Sequence, residues 1–329
     1  MDWNNRLVLV TGAGGFIGSH LVESLVAKGA HVRAFVRYNA RGDPGMLRFS
    51  SAEVFSRLEI IAGDLRDTEA VRLASQTVDT IFHLGALIAI PYSYIHPREV
   101  VETNILGTLN VLMAARDFHV RRIIQTSTSE VYGTAQYTPI DEHHPLQGQS
   151  PYSASKIGAD QIAESFHRSF GLPLATLRPF NTYGPRQSAR AVIPTIISQA
   201  LVRDEIHIGS LHPMRDYTFV DDTVEGFVKI AESDQALGEI INLGTGLMVE
   251  VGDLIRLVGE LVGKQLHPVS ESNRKRPENS EVLKLQSDNR KARELIDWVP
   301  QVSLQEGLHR TIEWVTEHPS MYQPDRYTV

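Results

Sequence analysis

The chain has 329 residues, 42% hydrophobic and 22% charged, which is the balance of an ordinary soluble globular enzyme with room for a sizeable core. A formal net charge of −7 offers no general attraction to nucleic acid or an anionic membrane, so neither is expected as a partner, and a small anionic ligand would need a basic pocket of its own. The absence of cysteine excludes disulfides, thiolate metal sites and a cysteine nucleophile, and with no signal-like start and no apolar run near the ~18 residues of a membrane span, a cytoplasmic protein is expected.

In chain order, Leu7-Val8-Leu9-Val10 reads as a buried strand, and 16–28 as a helix closed by Gly29. Val32 to Val36, Leu58 to Ile61 and Thr80 to Leu84 read as further strands. A long helix is expected over 97–116 and another buried strand over 122–126. A second long helix starts at Pro151, with a strand near 173–178. After Gly184 the elements shorten, and 270–280 is polar and loop-like. Buried strands alternating with helices predict an α/β fold, a Rossmann-like doubly wound parallel sheet with a smaller C-terminal α/β substrate-binding lobe. The expected division is a dinucleotide-binding domain over 1–180, with a returning segment near 220–245, and a mostly substrate-binding lobe over 181–329.

Thr11-Gly12-Ala13-Gly14-Gly15-Phe16-Ile17-Gly18 follows a strand and opens a helix. Gly12 permits the tight turn, Gly15 lets a diphosphate approach the backbone, and Gly18 allows close helix–strand packing. The helix start at Phe16 and Ile17 supplies N–H groups for the phosphates, so these five residues are candidates to hold a dinucleotide. Where an acidic residue would normally hold the adenosine ribose, the second strand ends in Phe35-Val36-Arg37-Tyr38-Asn39. Arg37 fits a 2′-phosphate, and hence NADP, or an adenine-stacking arginine compatible with NAD. Both stay open. Asp64 and Leu65, after the third strand, are candidates for contact with the adenine.

Tyr152 and Lys156 lie four apart and share a helix face, with Pro151 suited to the first turn. A phenol is a poor base at neutral pH unless neighbouring positive charge favours the phenolate. An adjacent ammonium and a cationic nicotinamide are therefore expected to favour the phenolate. Thr126-Ser127-Thr128-Ser129-Glu130 ends a strand on the side that faces a cofactor crevice. Thr128 can hydrogen-bond the hydroxyl that Tyr152 deprotonates, and Glu130 suits removal of a second proton. The pair His143-His144 with Glu142 reads as a surface loop and not a metal site. Asn273-Arg274-Lys275-Arg276 reads as a solvated loop.

The glycine turn, Phe82-His83-Leu84-Gly85-Ala86, Asn104-Ile105-Leu106-Gly107-Thr108, the Ser-Glu strand end, the Tyr-Lys helix, Arg178-Pro179-Phe180-Asn181-Thr182-Tyr183-Gly184-Pro185-Arg186 and Arg215-Asp216-Tyr217 follow one another in order. Together they resemble the extended short-chain dehydrogenases acting on nucleotide sugars, over essentially the whole chain. The likeness is nearest to the 4,6-dehydratases of the legionaminic-acid pathway, which act on a nucleotide-linked N-acetylglucosamine. It rests on 152–160, 178–194 and Arg276-Pro277-Glu278-Asn279-Ser280-Glu281.

The resemblance implies that Tyr152 takes the proton of the sugar's 4-hydroxyl during oxidation at carbon 4, while Lys156 lowers the phenol's pKa and holds the nicotinamide ribose. Glu130 then removes the proton on carbon 5. It implies NAD, with NADP left open by Arg37, held tightly and recycled, with Leu84 and Ala86 also at the cofactor. A nucleotide diphosphate calls for arginines, and Arg186, Arg215 and Arg276 stand in matching positions with Asn181; Arg190 is less certain. A homodimer through the outer faces of the Asn104 and Tyr152 helices is also implied. One departure is Ser129, where many 4,6-dehydratases have Asp; a serine is a weak proton donor, so the acid step would lean on Glu130 or a relayed water. A nucleotide-sugar 4-epimerase and a UDP-glucuronate decarboxylase are the alternative activities.

Overall fold

The computed structural model describes residues 2–324. Its strands in chain order are β1 (Leu7–Thr11), β2 (His31–Arg37), β3 (Leu58–Gly63), β4 (Thr80–His83), β5 (Arg122–Thr126), β6 (Leu174–Pro179), β7 (Asn181–Tyr183), β8 (Glu205–Ile208), β9 (Met214–Phe219), β10 (Ile240–Leu243), β11 (Met248–Glu250) and β12 (His267–Ser270). Seven of them form one sheet in the order β10-β6-β5-β4-β1-β2-β3, with every neighbouring pair parallel.

The apolar runs of the sequence become these strands because both faces of the sheet are covered. Val8 and Val10 point into one buried cluster and Leu9 into the other, as alternation along a strand requires. From β1 the chain winds outward through β2 and β3; from β4 it winds the other way. Strand order therefore reverses between β1 and β4, and a crevice opens at their C-terminal ends. The chain returns through the helix Val220–Glu232 to lay β10 beside β6 at the far edge. The remaining strands build two small sheets, β11-β9-β7 and β12-β8, beside that crevice.

Two local expectations change. The helix read as continuous over 97–116 is Pro97–Val101, then a π-helical turn Glu102–Leu106, then Gly107–Asp117. The widened turn presents Asn104, whose buried amide accepts from Leu87 N at 2.8 Å, donates to Leu87 O at 3.0 Å and reaches Ser155 Oγ at 2.9 Å. That side chain satisfies both backbone groups of Leu87. The 142–144 loop is also not a solvated surface. Glu142 accepts from the backbone N–H of Asn242 at 2.8 Å, and buried His144 receives the N–H of Gln136 at 2.9 Å.

Candidate active site

A cavity of about 1080 Å³ fills the crevice, running from the glycine turn past Tyr152 to Asn181, Arg190 and Arg276. At its base Gly12 adopts φ +70°, and a Cβ there would stand 2.8 Å from Gly85 N; a Cβ on Gly18 would stand 2.2 Å from Gly12 O. Only glycine permits this approach of β1, β4 and the helix Phe16–Ala27. That helix starts at Gly15 with no side-chain cap and no acidic residue in its first turn, so its first N–H groups remain available to an anion. Gly12, Gly15, Phe16, Ile17 and Gly18 all line the cavity, as do Leu84 and Ala86. This cradle fits a dinucleotide diphosphate.

At the rim Arg37 also lines the cavity; its guanidinium is 69% exposed and stands 3.3 Å from Glu99. Asp64 and Leu65 do not. The Asp64 carboxylate is held by Arg66 at 2.6 Å, which keeps it below the usual carboxylate range, and Leu65 is buried beneath Gly85 and Gly107. The wall at that end of the cavity is formed by Tyr38 to Arg41 and Asp43 to Gly45.

The reactive centre sits where β5 ends against the helix Pro151–Phe170. A capping box between Ser150 and Ser153, with Pro151 at the first position, sets the start of that helix and so the direction of Tyr152. Tyr152 is buried, lines the cavity and is hydrogen-bonded to Thr128. Thr128, Ser129 and Glu130 line the same wall, and the Thr128 hydroxyl accepts the Glu130 N–H at 3.3 Å. Lys156 lies behind the wall, nearly inaccessible, its Nζ donating to Thr126 O at 2.6 Å.

The electrostatics differ from the expectation. Burial drives the Tyr152 phenol well above its ordinary pKa; the bond to Thr128 opposes this, while the charges of Glu130 and Asp160 add to it. Lys156 is not among the groups that lower it. Burial instead lowers Lys156 itself, against the pull of Asp160. Beside Lys156, His83 is fully enclosed between Thr11 Oγ1 at 2.7 Å and Thr108 Oγ1 at 3.0 Å; burial and the nearby ammonium push it down to about 3, so it stays neutral.

The four expected anion-binding residues separate. Arg276 lines the cavity, its Nη1 3.7 Å from Glu130 and 3.8 Å from Glu281 and without a hydrogen-bond partner among the described residues. Asn181 lines it too, and its buried Oδ1 has no hydrogen-bond partner among the described residues. Arg215 is buried behind them, 3.4 Å from Glu281, and does not line the cavity. Arg186 does not either. Its guanidinium reaches Glu23 at 2.7 Å and Ser19 at 3.3 Å, at a left-handed φ of +69°, and so anchors this loop to the glycine-turn helix. Arg190 takes the vacated place on the cavity wall. It lies within a stretch already singled out, but nothing in the local pattern ranks it above Arg186. The buried Asp160–Arg178 pair behind the site was missed altogether.

Residues 9–311 match the family model described as GDP-mannose 4,6 dehydratase. The chain is 33% identical to the UDP-glucose 4-epimerase of Mycolicibacterium smegmatis, over 93% of this chain and 97% of that protein. It is 30% identical to the human dTDP-D-glucose 4,6-dehydratase, over 95% and 91% of the two chains. Among solved structures, the dTDP-glucose 4,6-dehydratase of Streptomyces venezuelae, solved with NAD bound, superposes with a TM-score of 0.86 at 29% identity, covering 97% of this chain and 99% of that one. An epimerase of Methanothermobacter thermautotrophicus does so with a TM-score of 0.87 at 31% identity, covering 97% and 94%.

Proposed function

The chain belongs to the GDP-mannose 4,6 dehydratase family of extended short-chain dehydrogenases, and on that premise we propose that it is a nucleotide-sugar 4,6-dehydratase acting on UDP- or GDP-linked N-acetylglucosamine. The observation that carries this reading is Glu130. Its carboxylate lines the cavity on the same wall as Tyr152 and Thr128, only 12% exposed and facing Arg276. Epimerisation at carbon 4 needs the tyrosine and a turn of the keto sugar, but no second base; elimination across carbons 5 and 6 does.

In this reading Tyr152 accepts the proton of the 4-hydroxyl while Thr128 orients that hydroxyl. The bound nicotinamide supplies reversible two-electron exchange with carbons 4 and 6, so it is recycled and not consumed. Because burial holds the phenol high, Tyr152 becomes a base only when positive charge gathers beside it, from Lys156 and the oxidised cofactor together. The 4-ketone acidifies carbon 5, whose proton passes to Glu130. The carbon 6–oxygen bond breaks, and the hydroxyl leaves as water with the proton that Glu130 has taken from carbon 5, passed directly or through a relayed water. Arg276, Arg190 and Asn181 bind the diphosphate, supported from behind by Arg215. NAD is the favoured cofactor: Glu99 faces Arg37, which weakens any demand for a 2′-phosphate. The enzyme works as a homodimer.

Mass spectrometry of products from UDP- and GDP-linked N-acetylglucosamine, glucose and glucuronate tests the proposal. Loss of one water from an N-acetylglucosamine substrate is expected. An isomer of unchanged mass would establish the epimerase, and loss of carbon dioxide the decarboxylase. Glu130→Gln should slow dehydration by about 10²–10⁴-fold while cofactor reduction in a single turnover persists. Full dehydratase activity in that variant would overturn the role of Glu130.

A further inference from the structure

Behind the Tyr152 wall, Asp160 lies one helical turn beyond Lys156 and two beyond Tyr152, on the same face of the helix. It is 3% exposed. Its Oδ2 accepts from Ser127 Oγ at 2.6 Å and from Arg178 Nη2 at 3.0 Å and Nε at 3.2 Å. Ser127 is the residue between the two that grip the catalytic pair: Thr126, whose carbonyl receives Lys156 Nζ, and Thr128, which bonds Tyr152. Three successive residues of the β5 exit are thus tied to the helix, and the middle tie, Ser127 to Asp160, is the one made outside the catalytic pair.

We propose that Asp160 is a positioning residue for the Tyr152/Lys156 pair, pinning the strand exit through Ser127 and holding a buried negative charge behind Lys156. This rests on the reading of Tyr152 and Lys156 as the reacting pair. The arrangement is costly unless it serves the site. Asp160 Oδ1 is buried with no hydrogen-bond partner among the described residues, so the pair with Arg178 leaves part of the carboxylate unsatisfied. On β6, Arg178 is itself pinned by Tyr132 OH at 2.9 Å, and Tyr132 in turn donates to Asn242 Oδ1 at 2.8 Å. The carboxylate is thus held rigidly from the sheet side.

The titratable and charged groups around this carboxylate are Lys156 and Tyr152 on its own helix, Arg178 on β6, and Tyr132 bonded to Arg178. Asp160 raises both Lys156 and Tyr152, opposing the effect of burial on the lysine while making the phenol harder to ionise. Removing its charge should lower both. In the holoenzyme, where the oxidised cofactor would add its positive charge beside the phenol, the acid limb of the kcat/KM profile, set by loss of the phenol proton, then moves to lower pH. The alkaline limb, set by loss of the lysine proton, moves the same way.

Asp160→Asn, assayed as holoenzyme on whichever N-acetylglucosamine nucleotide is turned over, should shift both limbs by at least about half a pH unit. Asp160→Glu should keep them in place. Ser127→Ala leaves the charge but severs the tie, and should lower kcat by about tenfold with the limbs unmoved and KM for NAD unchanged. An unshifted profile in Asp160→Asn, or a wild-type kcat in Ser127→Ala, overturns the inference; the second measurement decides it if Asp160→Asn does not fold. Tyr152→Phe separates the two levels: if it remains active, the reading of the catalytic pair fails before that of Asp160.

Discussion

Arg186 and Arg190 show what a single side chain can and cannot disclose. Both are arginines in one loop beside Asn181, and the family pattern favours Arg186. In the folded chain Arg186 is buried against Glu23, with its guanidinium 5.8 Å from the Trp314 ring, while its neighbour His20 bonds Pro185 O at 3.0 Å. A left-handed φ at a non-glycine residue is held by such over-determination. Arg186→Met should therefore lower stability in urea by about 1–2 kcal/mol, since Glu23 is partly exposed, and change KM for the nucleotide sugar by less than about twofold. Arg190→Met should raise that KM by about tenfold with little loss of stability. The reverse pattern would return the phosphate contact to Arg186.

At the scale of elements, the amphipathic pattern around Asn104 and Tyr152 identifies helices but not the use of their outer faces. Ile95, Val101 and Leu106 remain exposed at 63%, 42% and 47%, beside or within the π-helical turn. A second copy of the chain would cover them, as the proposed homodimer requires. Leu106→Glu should raise the dimer dissociation constant by at least about tenfold in sedimentation measurements, equivalent to about 1.4 kcal/mol. A wild-type chain that sediments as a monomer at high micromolar concentration would rule the homodimer out. The π turn itself was illegible, because a one-residue insertion preserves the apolar spacing on either side and is required only by a partner, Leu87, distant in sequence.

Over the whole molecule, stability should depend on pH through the enclosed His83. Its folded pKa of about 3 lies below its ordinary 6.5, so the unfolded chain binds the proton more readily. The stabilisation is complete above pH 6.5 and is lost as pH falls towards the folded value, at about 1.4 kcal/mol per unit. Between pH 7 and 5 this one group should account for about 2 kcal/mol of unfolding free energy. His83→Gln, less stable at pH 7 because it disturbs Thr11 and Thr108, should lose correspondingly less over that interval in urea titrations. Equal losses would place the acid sensitivity elsewhere.

By itself the sequence determined the parallel sheet, the glycine turn and the Tyr152/Lys156 helix. These are written in local periodicity and in backbone conformations that only glycine tolerates, as at Gly12 and Gly18. It also supplied Thr128 and Glu130, because a strand end dictates where its next residues face. Only the tertiary structure decided which arginines meet the cavity, that Asp64 is held by Arg66, and that Tyr152 is raised and not lowered in the protein alone. The arginines and Tyr152 depend on partners brought from elsewhere in the fold or on exclusion of water, and Asp64 with Arg66, only two residues apart, on the loop conformation that turns the two side chains together. Neither charge pairing nor desolvation leaves a local mark on the chain.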